Sequence, residues 1–387
     1  MGDRIKILFV VSAFYQAGTE RFTYEVDRAL NKDKFSVDIL SLLPLKASKR
    51  FDDHYYQKHI DLESKIYFLN DIDILHQPSL KERLLRKLQG KSFLHDHHHL
   101  RSFLSQYDTI AIMGIENYPN LARWMTPELK VKCLIHVHTS KHQKEDVYAL
   151  YDKHAPYHFI SGFNKKEIEW ELSEFDNYKH TYFGLNFKLN VDFVKETYKT
   201  SNKPRIGIFT RITSIKPLDP FIYAFQCVLN EIPGAELHFY GSGDPETEGI
   251  MRYVKQLQIQ DNVFFRGHQE NILETAVTEQ LDLVWLHGYH GIPGGYAGFD
   301  ICTTGIPQIF WNFGDSDTEI RYDCFPVHHN IVGFAQQSVE LLNNPNKAKL
   351  LAESQRDYVK ENLDIDKFIE VLEKAHSDIG EPENSPK

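Results

Sequence analysis

Continuous apolar runs rich in β-branched residues alternate along this chain with stretches of helical period. The first run, Ile5 to Val11, predicts a strand buried on both faces of a parallel sheet. After a loop over residues 12–17, Gly18-Thr19-Glu20 opens a segment in which Phe22, Val26, Ala29 and Leu30 share one helical face. Phe35 to Leu43 predicts the next strand, so the chain opens β-loop-α-β with a glycine at the helix start. That geometry offers backbone N–H groups to an anion, although a single glycine before a helix is also ordinary turn chemistry.

Residues 44–107 lose the pattern: they are polar, histidine-rich and broken by Pro44, Pro78 and Gly90, and predict helices and loops. Within them Leu80, Leu84, Leu85 and Leu88 share a face flanked by Lys81, Arg83, Arg86 and Lys87. Such a helix packs on its own domain with a solvated basic face, or docks on an anionic membrane surface. His95-Asp-His-His-His99 reads as exposed histidines, because neighbours on a helix point in different directions and cannot close around one metal.

The strand pattern resumes at Thr109 to Met113, Cys133 to Val137 and Tyr157 to Ile160, with a helix expected near Asn164. Glu116, Asn117 and His138 fall just after strand ends, the edge where open α/β sheets bind ligands. A histidine there suits an acid, base or hydroxyl partner, and equally a structural role. Lys199 to Pro204 is polar enough for an interdomain linker. From Arg205 the grammar repeats: strand 205–210, helix 217–230, strand 235–240, Gly241-Ser-Gly243, helix 246–257, strands 262–265 and 281–286, helix near 299–304, strand 307–311. Residues 348–376 read as helical and 377–387 as a frayed tail.

The expected architecture is therefore α/β: two Rossmann-like, doubly wound domains facing a cleft, with an N-terminal domain over 1–190, a linker over 191–204, a second domain over 205–365, and a final helix and tail over 366–387 that returns to the first domain. The 387 residues suffice for two cores. A formal charge of -10 argues against a general nucleic-acid binder and makes any polyanion site local. Four widely spaced cysteines, Cys133, Cys227, Cys302 and Cys324, read as reduced thiols of a cytoplasmic protein. The apolar start breaks at Ser12, and no run approaches the length of a membrane span, so neither a signal peptide nor a transmembrane helix is expected.

Ile206-Gly-Ile-Phe-Thr-Arg-Ile-Thr-Ser-Ile-Lys216 is an apolar strand running into a loop that carries Arg211 and Lys216. It is followed in order by Tyr240-Gly-Ser-Gly243, Asn262-Val-Phe-Phe-Arg-Gly267, and Asp300-Ile-Cys-Thr-Thr-Gly-Ile-Pro307 leading into a strand. This succession resembles the retaining GT-B glycosyltransferases of the large GT4 family. More weakly, Gly18 matches that family's glycine loop near the donor phosphates, and His138-Thr-Ser140 its acceptor-facing strand end.

The resemblance implies a GT-B fold and transfer of a hexosyl unit, with retention, from a nucleotide-diphosphate sugar, UDP- or GDP-linked, to a glycan or lipid-linked glycan. It implies no metal and no other cofactor; Asp315-Ser-Asp317 matches a metal motif of another glycosyltransferase fold only in composition. Arg211 and Lys216 would grip the diphosphate, where transition-state charge develops, and His138 would position acceptor or donor sugar. Gly18, Gly241, Gly294, Gly295, Tyr296 and Asp300 would line the donor site, Asp300 taking the place of the second glutamate of the E-x7-E motif and reaching the ribose hydroxyls. The first glutamate's place holds Ile292, inside Gly291-Ile-Pro-Gly-Gly-Tyr-Ala-Gly298. That departure leaves open a non-catalytic GT-B subunit that binds a partner enzyme or glycan, and a third reading keeps the fold but changes the reaction, as a sugar-nucleotide epimerase or phosphorylase. Expected partners are the nucleotide sugar, its acceptor and a peripheral membrane contact, with no nucleic acid.

Overall fold

The computed structural model describes residues 4–15, 17–44, 53–72, 98–138, 147–162, 172–214, 216–288, 295–312 and 324–380. The chain divides into two units, Met1–Lys188 with Ile365–Lys387, and Leu189–Asp364. Each is built on one parallel sheet.

In the first unit, β1 (Ile5–Val11), β2 (Phe35–Ser41), β3 (Lys65–Phe68), β4 (Thr109–Met113), β5 (Cys133–Val137), β6 (Tyr157–Ser161) and β7 (Tyr178–Tyr182) lie in the order β3-β2-β1-β4-β5-β6-β7. In the second, β8 (Arg205–Phe209), β9 (Glu236–Tyr240), β10 (Val263–Gly267), β11 (Leu283–Gly288), β12 (Gln308–Asn312) and β13 (Val327–His328) lie in the order β10-β9-β8-β11-β12-β13. Strands such as β1, β4 and β11 are apolar without alternation because helices cover both faces, and Leu8, Phe9, Val10, Ile110, Ile112 and Trp285 are fully buried. Each such side chain contributes roughly 1.5–3 kcal/mol by leaving water.

The described helices of the first unit are α1 (Gly18–Ala29), α2 (His54–Asp61), α3 (His98–Ser105), α4 (Asn117–Ala122) and α5 (Pro127–Lys130). Those of the second are α6 (Asp219–Glu231), α7 (Ile250–Gln256), α8 (Ile272–Thr278), α9 (Gly295–Thr303), α10 (Ile331–Asn343) and α11 (Pro345–Asn362). The last, α12 (Ile365–Gly380), lies in the first unit against α1, β1, β4 and β7. Its carboxyl-bearing face takes the Asn31 amide on Glu373 at 2.9 Å, and its buried His376 meets Thr109 through Nδ1 and Oγ1 at 2.9 Å.

Several expectations need correction. The region over 44–107 contains a strand, β3, at the sheet edge, where a four-residue segment with no fully buried side chain leaves little periodic signal. The edge strand β7 is likewise polar and only partly buried. Residues 191–204 form neither helix nor strand, yet they are fastened to the second unit: the Lys195 amide donates to Thr304 O at 2.7 Å, its Nζ reaches Leu281 O at 2.6 Å and Asp282 at 3.1 Å, and the Tyr198 hydroxyl bonds Gly305 O. A polar segment can thus be an anchored strap, because its bonds go mostly to backbone carbonyls of distant segments, which composition does not reveal. The final helix continues through residue 380, past the point where fraying was expected.

One buried network was not legible. Asp27 on α1 is fully buried and accepts from His59 Nδ1 at 2.7 Å and Ser64 Oγ at 2.7 Å, with Lys32 beside it. Burial works to raise its pKa, but the bonds and charge of His59 and Lys32 outweigh burial and hold it below the ordinary carboxylate value. All four cysteines are free thiols.

Candidate functional site

In an open parallel sheet, neighbouring strands whose connections leave in opposite directions create a crevice at their carboxyl ends. Both sheets have one. In the second unit it lies between β8 and β11, in the first between β1 and β4.

The loop leaving β8 carries Arg211 and Lys216 to the second unit's crevice. Arg211 is exposed and Lys216 half-buried. Lys216 Nζ donates to Thr210 Oγ1 at 3.3 Å. Burial first, and then the charge of Arg211, push the Lys216 pKa down. Among the described residues neither cation has a carboxylate partner, so two like charges are held together, one of them partly desolvated. Such an arrangement is unfavourable by itself and becomes favourable when a polyanion supplies the opposing charge.

The loop is shaped from behind by Gly241-Ser-Gly243. The Thr210 amide donates to Tyr240 O at 3.0 Å, and that of Ile212 to Ser242 O at 2.8 Å. A Cβ at Gly241 would stand 1.8 Å from Thr210 O, and one at Gly243, whose φ is +124°, would stand 2.1 Å from Ile212 O. Both glycines are therefore required by close backbone approach. The Gly241 N–H already donates to Gly267 O at 2.8 Å. Gly241 thus supports the Arg211 loop from behind while its own amide is bonded to the neighbouring strand end.

Across the crevice, β11 ends at His287 and Gly288, and α9 begins at Gly295 with φ +70°, a left-handed conformation that favours glycine. Tyr296 and Asp300 on α9 are both buried. Gly294 and Ile292 lie outside the described residues, as does Asp315-Ser-Asp317. The buried His287 was not singled out by sequence. Its Nε2–H donates to Pro217 O at 2.9 Å, and Phe221 meets its ring edge-on at 4.8 Å. Burial pushes its pKa down to about 4, with Lys216 contributing, so it is neutral at physiological pH. The available signal was one polar residue ending the apolar run Leu283 to Leu286.

The first unit's crevice differs in charge. Gly18 is the first residue of α1, whose N-cap Ala17 supplies no side-chain bond. Two residues on, Glu20 is 6% exposed. Burial, and to a smaller extent the nearby Glu116, raise its pKa to about 7, against the lowering effect of a bond from its own main-chain N–H. Glu116 follows β4 on a turn whose carbonyls are all engaged: Asn117 Nδ2 donates to Met113 O at 2.6 Å, the Asn117 amide to Gly114 O at 3.1 Å, the Tyr151 hydroxyl to Ile115 O at 2.7 Å and Asn120 Nδ2 to Glu116 O at 3.0 Å. His138 sits just beyond β5 with its ring 4.7 Å from Phe22 and 6.0 Å from His136. Its Nε2 is shielded from water and has no partner among the described groups. Burial depresses its pKa to about 4.

The predicted residues therefore fall into two groups, Gly18 and His138 in the first unit, and Arg211, Lys216, Gly241, Gly295, Tyr296 and Asp300 in the second. The basic leucine-faced segment over 79–91 and His95 to His97 lie outside the described residues. Among the described residues no helix is long and apolar enough to cross a membrane, and no group of three or more His, Cys, Asp or Glu is placed to hold a metal.

No protein-family profile matches the chain. It is 25% identical over 197 residues, half of each chain, to N-acetyl-alpha-D-glucosaminyl L-malate synthase of Bacillus anthracis. It is 37% identical over 113 residues, 29% of this chain and 16% of the relative, to the poly(glycerol-phosphate) alpha-glucosyltransferase of Bacillus subtilis. The chain thus spans half or less of the length of these curated relatives. Among solved structures, Anabaena HepE in complex with UDP and glucose superposes with a TM-score of 0.64 at 14% identity, covering 97% of this chain and all of HepE. The fold is the GT-B fold of glycosyltransferases.

Proposed function

We propose that the protein is a glycosyltransferase that moves a hexosyl unit from a nucleotide-diphosphate sugar to a hydroxyl of a glycan or lipid-linked glycan. The observation that carries this reading is the pair Arg211 and Lys216, held without a carboxylate partner among the described residues at the β8–β11 crevice of a GT-B fold. The names of the curated relatives, an N-acetyl-glucosaminyl malate synthase and a glucosyltransferase, and the UDP bound to HepE agree with it.

In this reading the leaving diphosphate gains charge as the glycosidic bond breaks, and the two cations stabilise that charge where it appears. Arg211 offers a planar fork and Lys216 a compact charge. Asp300, at the second-glutamate position, accepts from the ribose hydroxyls, and Gly294, Gly295 and Tyr296 line the sugar side of the donor site. Transfer proceeds with retention by front-face displacement, the leaving phosphate assisting deprotonation of the acceptor hydroxyl. The neutral His138 positions the acceptor. No protein nucleophile and no metal take part, and the protein works in the cytoplasm, with a peripheral membrane contact through residues 79–91.

The test is incubation with UDP-glucose, UDP-N-acetylglucosamine and GDP-mannose, with and without glycan acceptors, followed by nucleotide release and NMR of the product anomer. Release that depends on acceptor supports transfer, and loss of that release in chelator would remove metal independence. A second reading, a non-catalytic GT-B subunit, is favoured by one observation, Ile292 at the first-glutamate position. Tight UDP binding without turnover on any donor would select it.

A further inference from the structure

The two lips of the second unit's crevice come from distant parts of the chain, the loop 210–218 after β8 and the end of β11. The first is fixed to its own side by the bonds from Thr210 and Ile212 to the Tyr240 to Ser242 segment, and by the Lys216 amide to Thr213 O at 3.1 Å. Across the crevice, the described bond between the lips is His287 Nε2–H to Pro217 O, at the residue next to Lys216. His287 ends a strand that is buried throughout, and it is 4% exposed. A neutral imidazole in such a place is favourable only while its hydrogen bonds are made. Phe221, in the first turn of α6, packs edge-on against the ring at 4.8 Å.

We infer that His287 is a positioning residue for the diphosphate clamp: its bond to the Pro217 carbonyl fixes the distance between the β11 lip and Lys216, and so the place where the ammonium meets the diphosphate. The inference rests on the reading of Lys216 as a phosphate ligand. The ring's neutrality matters to this role. An imidazolium would place a further positive charge beside Lys216, whereas the buried neutral form donates the same bond without that repulsion.

The experiment measures the binding of UDP and of UMP by calorimetry to the full-length protein and to His287→Leu, His287→Gln, Lys216→Ala and the double variant Lys216→Ala/His287→Leu. UMP lacks the second phosphate, so the ratio of the two affinities reports the clamp and not the general integrity of the fold. His287→Leu should lower the UDP-over-UMP preference about tenfold, the value of one misplaced charge-assisted hydrogen bond. His287→Gln, whose amide can donate to the same carbonyl, should restore most of it, and the double variant should lose no more than Lys216→Ala alone. If His287→Leu weakens UDP and UMP equally, or lowers Tm with the preference unchanged, His287 is a structural brace and the inference falls. If Lys216→Ala itself leaves the preference intact, the clamp reading falls, and this inference with it.

Discussion

The two crevices share a topology and differ in chemistry. Both sit where a parallel sheet reverses its winding, beside β1 and β4 in one unit and β8 and β11 in the other. The second presents Arg211 and a half-buried Lys216, the first a buried Glu20, the braced Glu116 and the shielded Nε2 of His138. Backbone winding therefore decides where a ligand can sit, and side-chain charge decides which ligand. Under the function proposed above the diphosphate falls to the cationic crevice, whereas an anion in the acidic one would meet Glu20 and Glu116 at close range.

Removing the cations is the most severe way to break this contrast. Arg211→Ala and Lys216→Ala are each expected to lower transfer on the order of a hundredfold or more, the scale of deleting one oriented charge partner at a developing anion. Far-UV circular dichroism and Tm should be unchanged, because neither residue has a carboxylate partner among the described residues whose loss would destabilise the fold. Unchanged turnover in both variants would remove the phosphate assignment. Gly241→Ala attacks the same loop from behind. Its methyl would require Thr210 O to move from 1.8 Å, so transfer should fall about tenfold or more through displacement of Arg211, together with a loss of about 1–3 kcal/mol in urea denaturation.

The first unit can be tested through pH. The pKa values of His138, His158 and His376 are depressed by burial to about 4, 4 and 3, and that of the buried His136 also lies well below the ordinary value. A histidine with a depressed pKa contributes stability fully present above 6.5, its ordinary value, and lost as pH falls toward its folded value. Each therefore costs up to about 1.4 kcal/mol per pH unit below 6.5. Glu20 acts in the opposite sense: its raised pKa contributes stability that is full below 4.5 and is lost as pH rises through about 7. Four histidines outweigh one glutamate, so denaturation midpoints should drop steeply between pH 6.5 and 5. His376→Gln should make that drop shallower, and an identical slope would show that α12 does not carry a buried neutral ring in solution. The smallest expected effect is that of Asp300→Ala, a loss of nucleotide affinity of about tenfold by calorimetry, as for one hydrogen-bonded pair to ribose. Unaltered affinity would exclude the ribose role.

The sequence by itself determined the central strands, the helix starting at Gly18, and the order of motifs from Arg211 to Asp300, because each rests on local signals: unbroken β-branched runs, one-faced helical spacing, and charges fixed just beyond strand ends. Edge strands β3 and β7 escaped because partial burial leaves no periodic pattern, and the strap over 191–204 because its anchors are groups of distant segments, most of them backbone carbonyls. Only tertiary structure decided that Gly241 packs on Thr210 with its amide already bonded, that Asp27 gathers His59, Ser64 and Lys32, and that His287 reaches Pro217 from 70 residues away. These depend on close approaches between segments distant in the chain, and on burial that changes how an ionisable side chain behaves. Residue spacing carries neither.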